Sequence, residues 1–240
     1  NLEQLGININ DGLDRLKTAD SSLMKVNDVL QRIRTLTISG LNSPTGPQGR
    51  EAIAKEIDEL RQDLVQQANI GYAGQPLFGG TTPNESAFNP DTGEFIGNIN
   101  AVTRVISNAP GAAGQLNVGI NGEEIFGTDL VASTGALAAL AQAIRTGDAD
   151  AMRTGLGDVD ALRERVLDGQ TTIGAKINRL DRQVEINGRQ HDATTIALSK
   201  VEDTDFMKAA MDLAVQSTSY QAALSASAKV IQPSLVDFIR

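Results

Sequence analysis

The 240-residue sequence has no cysteine, no tryptophan, a single histidine and only 3% aromatic residues. Without cysteine there can be no disulfide, thiolate zinc site, iron–sulfur cluster or cysteine nucleophile. The redox compartment stays open, because a disulfide-free chain is stable on either side of a membrane. With His191 alone, a multi-histidine metal centre is excluded too. Positive charge is also scarce: 21 Lys and Arg face 30 Asp and Glu, a net charge of −9, which argues against a nucleic-acid partner. No apolar run approaches the roughly 18 residues of a bilayer span. The best candidate, Ala136 to Ala141, stops at Gln142, so no membrane insertion is expected. No basic–apolar–small leader opens the chain either. It starts at Asn1, without Met and already inside an apolar heptad, which suggests that a segment precedes it.

Periodicity dominates the first segment. Leu2, Leu5, Ile9, Gly12, Leu16, Ala19, Leu23, Val26, Leu30 and Ile33 follow alternating steps of three and four. This is the stripe of a long bundle or coiled-coil helix. A helix of about 40 residues is about 60 Å long, which predicts a rod. Gly40 and the run from Asn42 to Pro47 predict its stop and a turn. Ile53, Ile57, Leu60, Leu64 and Gln67 then mark a second helix, so residues 1–71 form a helical hairpin.

Residues 72–134 differ in kind. They hold ten of the 23 glycines and four of the seven prolines, with six acidic residues against one basic, Arg104. Glu94-Phe95-Ile96 follows the turn Pro90-Asp91-Thr92-Gly93. The run from Leu116 to Ile120 leads into Asn121-Gly122, a dipeptide that signals a hairpin between apolar runs. Gly79-Gly80-Thr81-Thr82 lacks the spacing and the lysine of a phosphate loop and reads as a flexible exit from the hairpin.

Helical character returns at Ala136, breaks near Gly147-Asp148 and resumes through Leu156, Val159 and Val166. The seam continues at Ile173, Ile177, Leu180, Val184, Asn187, His191, Thr194, Leu198 and Val201. Asp203 or Asp205 is placed to cap a last helix, whose stripe runs from Phe206 through Ala210, Leu213, Ser217, Tyr220, Leu224 and Ser227 to Ile231, with Pro233 ending it. The fold class expected is mainly α. It is a long antiparallel helical bundle or rod, with a small β-rich domain inserted between its N- and C-terminal helical halves. The divisions are 1–71, 72–134, 135–205 and 206–240.

Chemistry is hard to place on this frame. Asp148/Asp150, Asp158/Asp160 and Glu202/Asp203/Asp205 are the closest carboxylate groupings, and helix capping accounts for the last of them. A glycan-cleaving pair normally has aromatic platforms that this chain lacks. His191, on the inner stripe, reads as a half-buried packing residue rather than a base. Asn84-Glu85-Ser86 is too short a match to carry a glycosylation site. The stretch 206–231 is covered in alanine and allows close approach on several sides. With the apolar end Val230, Ile231, Leu235, Val236, Phe238 and Ile239, it could pack against other copies of the chain.

Three stretches of the N-terminal half resemble the flagellin superfamily: Gln31-Arg32-Ile33-Arg34-Thr35-Leu36, Arg50 through Asn69, and Leu77-Phe78-Gly79-Gly80-Thr81. Ile173 through Leu180, and Leu198 through Arg240, resemble its C-terminal half. The ending, from Tyr220 through Pro233 to Arg240, is more similar to the hook–filament junction members than to flagellins proper. Gly74-Gln75-Pro76-Leu77 departs from the Arg-Tyr pair that the family more often carries there. The resemblance implies a bacterial axial protein, exported unfolded by the flagellar secretion apparatus and extracellular in the flagellum. Its implied partners are hook-associated protein 1, flagellin, copies of itself in a ring, and an export chaperone on the C-terminal helix. No cofactor and no catalytic site are implied. Subunit packing falls on Phe206, Ala210, Leu213, Tyr220, Leu224, Val230, Ile231, Leu235, Val236, Phe238 and Ile239. The alternatives are a flagellin, or an enzyme acting on cell-wall glycan through Asp148, Asp158 or Asp203.

Overall fold

A computed structural model describes residues 2–42, 46–128, 132–202 and 206–236, the side chains of 202, 206 and 230–236 excepted. The chain is mainly helical, with a small strand region between two helical halves. It divides into two compact units, Asn1–Gly188 and Arg189–Arg240.

In the first unit, helix α1 spans Leu2–Asn42 and α2 spans Pro47–Ala68. Of the ten stripe positions in α1, all but Leu2 are buried, and Leu13 and Leu36 join them. A helix flanked on more than one side needs this wider apolar face. Pro47 opens α2, where a missing amide hydrogen costs nothing and the fixed φ suits the first turn; Arg50 N–H closes that turn on Gly46 O at 3.1 Å. The two helices run antiparallel. Arg32 pairs with Glu56 and Ser22 Oγ–H donates to Gln67 O at 2.9 Å, so partners descend on one helix as they ascend on the other.

Helices α4 (Ala136–Thr146) and α5 (Ala149–Glu202) complete the bundle. Gly147 supplies the left-handed residue (φ 76°) that ends α4, with Asp148 N–H bonded to Ala143 O and Gly147 N–H to Ile144 O. That pairing satisfies the last carbonyls of α4 and leaves only Gly147 and Asp148 between the two helices. Asp148 then accepts from the amides of Asp150 and Ala151 at 3.1 and 3.0 Å, capping α5. Arg145 binds α4 to Asp58 and Glu51 of α2, and the bond to Asp58, with both carboxylates nearby, holds its pKa above the ordinary value. α5 runs back along α1: Arg34 pairs with Asp160 at 2.9 Å, and Asn187 Nδ2 reaches Leu2 O at 3.1 Å.

Between the halves lie two short antiparallel ladders, β1 (Gly71–Tyr72) with β2 (Gln75–Pro76), and β3 (Thr103–Val105) with β4 (Gln115–Asn117). The five-residue helix α3 (Gly122–Phe126) follows. Four of the six phenylalanines sit here and form the hub of the region. Phe126 meets Phe78 and Phe88 edge-on at centroid distances of 5.3 and 5.5 Å, and Phe88 meets Phe95 at 5.2 Å.

Three local expectations change. Asn121-Gly122 does not turn a hairpin: Asn121 Oδ1 accepts from Glu123 N–H at 3.0 Å and caps α3. Gly122 serves close approach instead, since a Cβ there would lie 2.6 Å from Phe78 O. Gly79-Gly80 is no flexible exit. Both residues are buried, Gly79 O accepts from Asn98 N–H at 3.1 Å, and Asn98 Oδ1 accepts from Thr81 N–H at 3.0 Å. Glu94-Phe95-Ile96 contributes a single bridge, Phe88 to Phe95, rather than a strand.

The β1–β2 turn places Ala73 at φ 51° followed by Gly74 at φ 80°. An alanine in the left-handed region costs roughly 1–2 kcal/mol, which asparagine partly escapes. Ala73→Asn is therefore expected to raise unfolding stability by about 0.5–1 kcal/mol. A urea denaturation midpoint that falls would contradict this.

In the second unit, α6 spans Phe206–Val236. It runs through Pro233 rather than ending there. The capping residues expected at Asp203 or Asp205 lie outside the described residues.

Candidate assembly interface

The insertion is fastened to the helical bundle by polar side chains, one group from each of three helices. From α1, Asn8, Asp11 and Arg15 share a face. Asn8 Nδ2 donates to Val105 O at 3.1 Å, Asp11 receives Arg104 Nε at 2.6 Å, and Arg15 Nη2 donates to Pro76 O and Leu77 O at 3.3 Å. Arg15 is buried; burial first, then the neighbouring Arg104 charge, push its pKa down. Tyr72 donates to Asp11 at 3.3 Å, and partial burial together with that carboxylate pushes its pKa up. From the C-cap of α2, Asn69 makes a reciprocal pair with the Phe88 backbone, donating to O at 2.8 Å and accepting from N–H at 2.7 Å. From α5, Lys176 Nζ donates to Gly119 O at 3.0 Å.

None of these fastenings was expected from the sequence. The partners of Arg15 and Asn69 lie 61 and 19 residues away, beyond the reach of any local pattern.

The carboxylates considered for catalysis do not converge. Asp148 is a cap, Asp150 pairs with Arg153 at 2.5 Å and Asp160 with Arg34; Asp203 and Asp205 lie outside the described residues. Among the described residues no group of three or more His, Asp or Glu could hold a metal. His191 is exposed, not half-buried, and lies 3.7 Å from Asp192. The rest of that stripe, Thr194, Leu198 and Val201, is exposed with it.

Apolar exposure in the second unit is extensive. Of the expected packing residues, Ala210 is exposed, and Leu213, Tyr220 and Leu224 are 70%, 67% and 53% accessible. Phe206, Val230, Ile231, Leu235 and Val236 have side chains outside the described set, and Phe238 and Ile239 lie beyond it altogether. At 100° per residue, Leu213, Tyr220 and Leu224 fall within about 40° of one another. A second exposed group, Met207, Met211 and Val215, lies about 160° away on the opposite face. That second stripe was missed because alanines and a threonine interrupt it. Lys208, Asp212, Gln216 and Ser219 fill one flank between the two. No helix of the described residues is long and apolar enough to cross a membrane. A helix apolar on two opposed faces and not buried against its own unit is suited to partners on both sides.

Two family models match the chain, "Bacterial flagellin N-terminal helical region" over residues 1–82 and "Bacterial flagellin C-terminal helical region" over 156–239. Together they take in more than half of it and both helical halves. The chain belongs to the flagellin family. This flagellar structural chain is 26% identical to a flagellin of Listeria innocua over 207 residues, 85% of its own length and 67% of the relative's. Its fold is similar to that of flagellar hook-associated protein-3 from Legionella pneumophila (TM-score 0.69, 12% identity, 85% of this chain and 97% of that one). The likeness to Bacillus cereus flagellin is lower, at TM-score 0.53 and 16% identity over 74% of this chain and 86% of that one. The two model matches take in α1, α2 and most of α5 and α6, and the first reaches into the insertion as far as residue 82.

Proposed function

We propose that this chain is the hook–filament junction subunit, a non-enzymatic adaptor that joins hook-associated protein 1 to the flagellin filament as a ring of identical copies. The observation that carries this is the contrast in fold: nearly the whole of a hook-associated protein-3 superposes at TM-score 0.69, against 0.53 for a flagellin. The exposed helix α6 supports it, since an axial subunit must bury such a surface against neighbours. In this proposal residues 206–240 are the inner-tube segment, 1–71 and 135–205 the rod, and 72–134 the outward insertion. The protein is exported and works outside the cell, with α6 covered by an export chaperone beforehand. The flagellin alternative is favoured by the sequence matches, flagellins at 24–26% identity over 85–88% of this chain.

Deleting the gene separates the two. Bare hooks, with flagellin shed into the medium, are expected for the junction subunit. Loss of the filament protein itself from cells and medium would mark the chain as a flagellin. Normal filaments on intact hooks would remove both roles.

A further inference from the structure

We propose that Met207 and Met211 form an oxidation site, at which peroxides and hypohalous acids switch off the packing of α6. The inference rests on the proposed ring, in which the two opposed stripes of α6 give each copy one face for each neighbour and set a second copy on the methionine face. A chain without cysteine or tryptophan has no thiol or indole to intercept a two-electron oxidant. Its four methionine thioethers are therefore the side chains most readily oxidised. The fold sorts them into three kinds. Met152 is 3% exposed, with its sulfur packed toward Gly40, and is shielded. Met24 is 53% exposed but stands alone, since the other exposed large apolar residue of α1 is Ile7, about five turns away. Met207 and Met211, 72% and 60% exposed, lie one turn apart on one face of α6, and Val215 continues that face.

The chemistry balances. The thioether sulfur attacks one oxygen of the peroxide, the oxygen–oxygen bond breaks, and the departing hydroxide takes up a proton and leaves as water. Sulfur is oxidised to the sulfoxide while the peroxide is reduced. A hypohalous acid delivers its oxygen likewise and leaves a halide ion and a proton. The product carries a polar, accepting S=O group on each of two successive turns. Standing in water, these groups leave α6 itself unchanged. Against an apolar neighbour they must shed their hydration with no donor to replace it, and Val215 beside them offers none. Methionine sulfoxide reductases reverse the change, so the switch can be reset.

The test first treats the purified full chain with hydrogen peroxide and maps sulfoxides by mass spectrometry. Met24, Met207 and Met211 are expected to oxidise at least about tenfold faster than Met152, which reacts only when the fold opens. Bare hooks from cells lacking the gene are then incubated with the treated or untreated chain, followed by flagellin, and the filaments formed are counted by electron microscopy. Peroxide treatment is expected to lower the count about tenfold, and sulfoxide reductases to restore it. The double variant Met207→Leu/Met211→Leu keeps the stripe apolar without an oxidisable sulfur and is expected to form filaments whether treated or not. Met24→Leu is expected to stay as peroxide-sensitive as the native chain. Oxidation of Met207 and Met211 no faster than that of Met152 overturns the proposal. So does a peroxide effect that the double leucine variant shares, or one that Met24→Leu abolishes. An untreated chain that adds no filaments to the hooks would instead remove the axial reading, and the proposal with it.

Discussion

Phe126→Ala is expected to lower the unfolding free energy of the full chain by about 3–5 kcal/mol, the range for removing a fully buried ring. The ring is entirely buried and is the one that touches both Phe78 and Phe88. Its loss deletes two edge contacts and opens a void beneath α3, where the short helix has no second layer to collapse inward. The effect is expected to reach the helical bundle. Asn8, Asp11 and Arg15 of α1, Asn69 at the C-cap of α2 and Lys176 of α5 all spend hydrogen bonds on the insertion. If the insertion opens, Arg15 loses both carbonyl partners and these bonds no longer brace α1. Urea unfolding followed by helical circular dichroism should show the first unit's transition moving to lower denaturant. An early step without loss of helical signal would show instead that the insertion melts by itself and that the fastenings couple little.

The helical halves were legible because their signal is local and repeated. Nine of the ten α1 stripe positions are buried, since a residue's place on a helix follows from its number alone. The break at Gly147-Asp148 was equally legible: a left-handed glycine followed by a capping aspartate is a pattern two residues long. The insertion was legible in composition and much less so in detail. Asn121-Gly122 satisfies two motifs, a hairpin turn and a helix cap, and what decides between them is Phe78, more than 40 residues upstream, whose carbonyl occupies the space a Cβ would need. Gly79-Gly80 looked flexible for the same reason. Glycine marks both mobility and crowding, and only the neighbour Asn98 tells them apart.

The candidate interface was half legible. One stripe of α6, from Phe206 to Ile231, alternates steps of four and three within its own helix and is legible in the sequence. The opposed stripe of Met207, Met211 and Val215 has no heptad of its own and emerges only when exposure is known. The exposure of His191 could not be inferred either, because periodicity places a residue on a face without saying what covers that face.

Leu213→Glu and Met211→Glu are each expected to leave the melting of the isolated chain unchanged within about 0.5 kcal/mol and yet reduce its incorporation into flagella by more than tenfold. The first half follows from exposure: Leu213 is 70% and Met211 60% accessible, so neither substitution strips a buried contact. The second half follows from desolvation. A carboxylate forced into an apolar interface without a partner costs several kcal/mol, and each 1.4 kcal/mol is a factor of ten in association. If the chain packs as the proposed ring of identical copies, the loss recurs at every subunit. Gln216→Glu on the polar flank is the control and should assemble normally, because water still reaches that edge. Filament-bearing cells counted by electron microscopy, together with calorimetry of each purified variant, give the two readouts separately. If Leu213→Glu blocks assembly and Met211→Glu does not, α6 has a partner on one face only, and its methionine stripe faces open solvent in the assembled structure. If Gln216→Glu blocks as strongly as the other two, the helix is enclosed on every side and the two-stripe geometry does not describe its surroundings. Normal assembly of both apolar-face variants would remove α6 as the packing surface.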